Sequence, residues 1–361
     1  MAAFIIAEAG VNHNGDMTMA RKMIDVAAEA GADAVKFQTF QAAKLASVNA
    51  PKAAYQKTTT DAGQSQVDML RGLEIAKQDH QPLIEHCEAR GIQFLSTPFD
   101  IDSLHFLAGE IGLQTLKLPS GEIVNGPLLM AAARYNCNIV LSTGMSTIDE
   151  IRDALRILAF GFLRDDTPRE PDLENVYRSE EGQAALKKNV TLLHCNSAYP
   201  TPIHDANLRA METLRSAFGL PIGFSDHTEG ITAAVCAATL GAAIIEKHFT
   251  LDRSLPGPDH AASLEPHDLK RMIEGIRDAQ TALGHSGKAP TPSEMENRLV
   301  VRQSLICSTS INEGEVFTER NITTKRPGTG LSPMQYWDIL GTVAQRDFLA
   351  DEEIKLSLIH I

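Results

Sequence analysis

The chain has 361 residues, 43% of them hydrophobic and 22% charged, and carries a formal net charge of -13 at pH 7. No apolar run approaches the roughly 20 residues that cross a bilayer, and the acidic balance has no basic stripe interleaved with aromatics, so neither a membrane nor nucleic acid is expected as a partner. Five scattered cysteines (Cys87, Cys137, Cys195, Cys236 and Cys307) form no CxxC pair; they read as packing residues of a cytoplasmic protein, and Met1-Ala2-Ala3-Phe4 leads into a strand rather than a secretory leader.

In chain order, apolar runs of strand length fall at 4–7, 34–37, 92–95, 115–118, 138–141, 190–193, 222–224 and 243–245. Amphipathic stretches such as 17–30, 148–158 and 266–283 lie between or after them. Strict alternation of this kind predicts an α/β fold, a parallel (β/α)8 TIM barrel, whose usual length of about 250 residues leaves room here for a small second module. An open doubly wound sheet alternates in the same way, but AGVNHNGD after the first strand is not its glycine-rich fingerprint. Two segments break the rhythm. Residues 42–66 follow a strand's carboxyl end and are expected to cover the active face, whereas the polar 164–188 precede a strand and belong at the opposite rim. The reading is a barrel over 1–284, a linker over 285–297 (HSGKAPTPSE and beyond) and a compact β-rich domain over 298–361.

In a barrel, the residues that end each strand face one cavity. Here these are Glu8, Asn12 and His13; Lys36, Gln38 and Thr39; Ser96 and Thr97; Lys117, Ser120 and Glu122; Ser142 and Thr143; Asn196, Ser197 and Tyr199; Ser225 and His227; and Glu246 and His248. In GFSDHTEG and IEKHFTLDRSLPGPDH, His227 and His248 end successive strands and are placed to share one cation, with Glu246, Asp259 and His260 nearby. Two imidazoles leave most of a coordination sphere open, which suits an octahedral ion such as Mn or Mg better than a closed zinc site. Lys36 and Lys117 end apolar strands, where burial without an anion is costly; with the hydroxyls and the amides near Gly121 and Gly144 they form a cradle for a phosphorylated anion. Blander readings stand beside these. His194 is structural, Ser142 and Ser225 cap helices, Glu8 and Glu122 merely pair with the lysines, and Asn14-Gly15 is a turn.

The ordered motifs IIAEAGVNHNGD, AVKFQTF, FLSTPFD, KLPSGEI, LSTGMSTIDEI, LLHCNSAYPTP, GFSDHTEG, IEKHFTLD, LPGPDH and TTKRPGTGLSP span nearly the whole chain, and together they resemble the sialic acid synthase family. The resemblance implies a barrel joined to an antifreeze-like (SAF) domain in a homodimer, where the small domain reaches the partner's active site. It implies phosphoenolpyruvate contacts at Lys36, Thr97, Lys117, Ser120, Ser142, Ser225 and His248, with Ser197 standing where some members have Asn. Metal ligands would be His227 and His248, with Glu246 acting through water; Mn2+ is the first candidate, then Mg2+ or Co2+. The sugar side would comprise Glu8, Gln38, Glu122, Tyr199 and Asp259, with Arg326 from the other subunit. The expected reaction condenses phosphoenolpyruvate with N-acetylmannosamine to N-acetylneuraminate and phosphate by C–O cleavage, Glu122 handling the water's proton and Glu8 second. The alternative acceptor is 2,4-diacetamido-2,4,6-trideoxymannose, giving N,N'-diacetyllegionaminate; pseudaminate synthesis, a lysine Schiff base, metal-dependent hydrolysis and carbohydrate binding without turnover are further rivals.

Overall fold

The computed structural model describes residues 2–47, 49–52, 56, 60–61 and 63–355, and the chain divides into two compact units, Met1–Gly284 and His285–Ile361. In the first, β1 (Phe4–Gly10), β2 (Ala34–Thr39), β3 (Gln93–Pro98), β4 (Thr115–Leu118), β5 (Asn138–Ser142), β6 (Val190–Cys195), β7 (Ile222–Asp226) and β8 (Ile244–His248) form one sheet in the order β3-β2-β1-β8-β7-β6-β5-β4. Every described ladder of this sheet is parallel, and β3 and β4 lie side by side, which nearly closes the barrel.

The period-two alternation of a strand decides what lies inside. Ile6, Ala34 and Leu95 point to the barrel axis and pack with Phe4 and Ile244. Ile5, Ala7, Val35 and Phe37 point outward into the main core beneath the helices. All eight apolar runs are strands, but most extend past their expected carboxyl ends, because parallel backbone pairing continues where the inward side chains turn polar.

Helix boundaries follow their capping chemistry. Asp16 accepts from Thr18 N and opens Met17–Ala30, and Gly31 at φ 86° closes it. A Thr147–Glu150 capping box opens Ile148–Leu163, which runs five residues beyond the expected 158. The polar 164–188 contain the helices Glu170–Arg178 and Glu180–Asn189, both packed on Ile148–Leu163. Of the segment after β2, the described residues include the short helix Ala42–Leu45 and the start of Gln66–Arg71; the rest of the expected cover falls partly outside the described residues.

Four cysteines are buried as packing residues, but Cys236 is exposed, because the helix Thr232–Thr239 turns it away from the barrel. In the second unit, β9 (Ser304–Cys307) and β10 (Ile322–Lys325) pair antiparallel over a core of Leu305, Cys307, Ile311, Phe317 and Phe348. The helix Pro292–Val301 lies across the boundary expected at 298, so half of the expected linker is regular structure.

Candidate active site

At the carboxyl ends of the strands lies a cavity of about 540 Å³, a size suited to small-molecule ligands. Its polar wall is a parity class. Glu8 aligns with Lys36 and with His248, Gln38 with Thr97, and Ser225 with Glu246, so side chains two residues apart all turn inward. Glu8, Lys36, Gln38, Thr97, Lys117, Ser120, Ser142, Ser197, Tyr199, Ser225, His227, Glu246, His248 and Asp259 line it together.

Charge at its floor is paired and buried. Lys36 Nζ sits 2.5 Å from Glu8 Oε2 and 3.6 Å from Glu246 Oε2, and donates to Thr97 Oγ1 at 3.1 Å. Lys117 Nζ lies 3.7 Å from Glu246 Oε1, which also accepts from Ser225 Oγ at 2.8 Å. Burial pushes the Glu8 carboxyl up, with Lys36 opposing, whereas at Glu246 the same burial is outweighed by Lys117 and Lys36, which hold it below the usual carboxylate range. Burial also pushes the Lys117 ammonium down, while at Lys36 it is overcome by Glu246 and Glu8. Two lysines thus face one firmly ionised carboxylate and one whose pKa burial raises, and a polyanion would supply the charge that burial denies Lys117.

The two histidines carry lone pairs. Their rings have centroids 5.5 Å apart, and the Tyr199 ring lies 4.1 Å from that of His227. His227 Nδ1 bonds the Asn196 carbonyl at 2.5 Å; a carbonyl only accepts, so Nδ1 carries the proton and Nε2 is left unprotonated. Burial lowers both imidazole pKa values, His227 to about 4, which keeps the neutral form that binds metal. His248 Nδ1 and Glu246 Oε2 are buried without hydrogen-bond partners. An unpartnered imidazole nitrogen beside a second neutral ring fits a divalent cation that His227 and His248 would hold. Among the described residues no three His, Cys, Asp or Glu converge as in a closed structural site.

Ser120 Oγ contacts Cys195 Sγ at 3.1 Å and accepts from Gly144 N at 2.9 Å. Ser225 does not cap a helix; it orients Glu246. Nor is Ser142 a cap, that role belonging to Thr147. Glu8 is an ion-pair partner as the blander reading held, but Glu122 is not. Glu122 lies outside the cavity lining and accepts from Asn125 Nδ2 at 2.6 Å, because the 3-10 turn Ser120–Glu122 rotates it away. Thr39 and Ser96 have the wrong parity and bond each other behind the strands at 2.7 Å, with His80 on Thr39 at 2.8 Å. Asn12 donates to the Phe249 carbonyl, His13 accepts from Gly15 N, His260 pairs with Thr250, and Asn196 and Thr143 also lie outside this lining. His194 is structural, bonded to the Ala206 carbonyl at 2.9 Å, and Asn14-Gly15 is a left-handed turn. Arg326 belongs to the second unit, directly after β10.

Sequence reasoning missed the apolar part of the lining, including Val11, Leu45, Met69, Leu70, Leu73 and Phe99. Its only signal was the interruption of the strand-helix rhythm after β2.

Comparison with known proteins agrees with this architecture. Residues 23–288 match the NeuB family and residues 302–359 the SAF domain. The chain is 46% identical to the N,N'-diacetyllegionaminic acid synthase of Campylobacter jejuni, over 97% of this chain and 98% of that one. It is 42% identical to the protein of the same name from Legionella pneumophila, over 95% and 90%. A crystal structure of N-acetylneuraminic acid synthetase from Leptospira borgpetersenii, in complex with citrate, superposes with a TM-score of 0.67 at 36% identity, over 82% of this chain and 90% of that one.

Proposed function

The chain belongs to the NeuB family of sialic acid synthases, and from that premise we propose that it condenses phosphoenolpyruvate with 2,4-diacetamido-2,4,6-trideoxymannose to give N,N'-diacetyllegionaminate and phosphate. The acceptor differs from the N-acetylmannosamine expected first, because both relatives described above are diacetyllegionaminic acid synthases. The observation that carries the reading is the meeting, in one cavity, of two buried lysines, a ring of hydroxyls and two neutral imidazoles.

Lys36 and Lys117 hold the phosphate and carboxylate of phosphoenolpyruvate, and Ser120, Ser142, Ser197, Ser225 and Thr97 supply neutral donors around them. This is orientational and electrostatic work. The citrate bound by the Leptospira protein is likewise a polyanion. A divalent ion held by His227 and His248, with Glu246 beside it, supplies a Lewis acid for the acceptor's aldehyde oxygen when bound; Mn2+ is our first choice. The vinyl carbon then bonds to the aldehyde carbon, water adds at the enol carbon, and the C–O bond to phosphate breaks with its electron pair leaving on phosphate. Glu8 lines the cavity beside Lys36 and becomes our candidate for the water's proton, a role that Glu122, outside the lining, does not suit. Gln38, Tyr199 and Asp259 border the acceptor, and Arg326 of a second copy reaches it in a homodimer. Four buried thiols suit the cytoplasm, and no described helix is long and apolar enough to cross a membrane.

Phosphoenolpyruvate labelled with 18O at the bridging oxygen tests the reading. With Mn2+ and the diacetamido sugar, the label is expected in phosphate, alongside a product with the mass of the nine-carbon acid. Phosphate released without any sugar would instead indicate a hydrolase, and borohydride trapping of a pyruvate adduct a Schiff-base enzyme.

A further inference from the structure

The cavity has two unlike halves. Hydroxyl side chains at the ends of β4, β5 and β6 (Ser120, Ser142 and Ser197) line one side, whereas the lining beyond β1, β2 and β3 is largely apolar, with Val11, Leu45 and Phe99 joined by Met69, Leu70 and Leu73. These six belong to one apolar cluster outside the main core. In the sheet order β8 and β7, which lead to the histidines, lie between β1 and β6.

Ser47, Gln56 and Gln66 interrupt that arc with polar groups, and Gln66 is set apart by the burial of its amide oxygen. Gln66 lines the cavity at the start of the helix Gln66–Arg71, and its side-chain Oε1 is shut from solvent with no hydrogen-bond partner. A buried amide oxygen left unpaired is costly, so the site is built for a ligand that brings a donor.

We propose that Gln66 and the apolar arc form the acceptor-selecting subsite, which accepts a second acetamido group and a 6-deoxy carbon. The inference rests on the synthase reading above. An acetamido N–H donates to Oε1, and its methyl, with the C6 methyl, covers Leu70 and Leu73. A carboxamide carries both donor and acceptor, so the match to an amide holds whichever way the Gln66 amide is turned. A hydroxyl at C6 would instead meet carbon, which in an apolar pocket costs selectivity of roughly a hundredfold.

The test compares wild type, Gln66→Met and Gln66→Glu as full chains with Mn2+, phosphoenolpyruvate and either 2,4-diacetamido-2,4,6-trideoxymannose or N-acetylmannosamine. Gln66→Met is expected to raise KM for the diacetamido sugar about tenfold, with kcat, KM for phosphoenolpyruvate and N-acetylmannosamine kinetics unchanged. Gln66→Glu, which keeps an acceptor oxygen, should stay within about threefold of wild type. If Gln66→Met alters both sugars equally or neither, the subsite is wrong while the synthase reading stands. A wild type that prefers N-acetylmannosamine overturns the subsite and the acceptor together, and one that condenses neither sugar overturns the synthase reading as well.

Discussion

Gly144 shows how closely the anion cradle is packed. A Cβ built there would meet Ser197 Oγ at 2.6 Å, Ser120 Oγ at 2.8 Å and Cys195 Sγ at 3.0 Å. All three are side-chain atoms, so the fold can absorb a methyl group by displacing two of the hydroxyls assigned to the anion. Gly144→Ala is therefore expected to leave the thermal midpoint within a few degrees of wild type and to raise KM for phosphoenolpyruvate tenfold or more, since a hydrogen bond to a charged group is worth about 1.5–3 kcal/mol. Steady-state kinetics beside a melting curve checks both parts. Lys36 and Lys117 were legible from sequence, because a lysine closing an apolar strand needs a reason. The position of Glu122 was not legible: nothing in KLPSGEI tells that the turn after Ser120 sets the carboxylate outside the cavity lining, on Asn125.

Strands β7 and β8 carry the histidines on one face and an ion pair on the other. Asp226 and Lys247 are register partners of opposite parity to the cavity residues, with side chains 0% and 1% exposed and 2.9 Å apart. Lys247 Nζ also donates to the Thr228 carbonyl at 2.5 Å, and Asp226 Oδ1 accepts from Thr228 N and Oγ1, both at 2.8 Å. The pair therefore ties the two strands together directly behind His227 and His248. Lys247→Met leaves a buried carboxylate without its cation and should cost about 3–5 kcal/mol in chemical denaturation. Lys247→Met with Asp226→Asn is expected to recover most of that loss; a double variant as unstable as the single would assign the cost to packing instead. Most strands were placed correctly but ended too early in the sequence reading. Apolar runs report where side chains are buried in carbon, whereas the ladder continues as long as backbones pair.

Across the whole molecule, several histidines are buried in neutral form. Burial pushes His13 down to about 4 from 6.5, with Asp16 opposing and His260 and His80 assisting; burial also lowers His80 and His194. Between pH 6.5 and 4 the unfolded chain binds a proton at residue 13 that the folded chain refuses. Folding stability is thus full above 6.5, falls with pH through that window and levels off below about 4. His13 alone should account for a loss on the order of 2 kcal/mol by pH 5, and denaturation of His13→Gln should show a correspondingly flatter profile between pH 7 and 5. The sequence by itself determined the strand-helix alternation, the barrel, the parity that gathers Lys36, Lys117, Ser225, Glu246 and the two histidines, and the family, since each depends on local periodicity or ordered motifs. Only the tertiary structure decided that Thr39, Ser96 and Glu122 leave the cavity and that Leu70, Leu73 and Gln66 enter it. Those outcomes depend on strand register, turn rotation and the folding back of a long connection onto β1 to β3, which are contacts between residues distant in the chain and leave no local pattern to read.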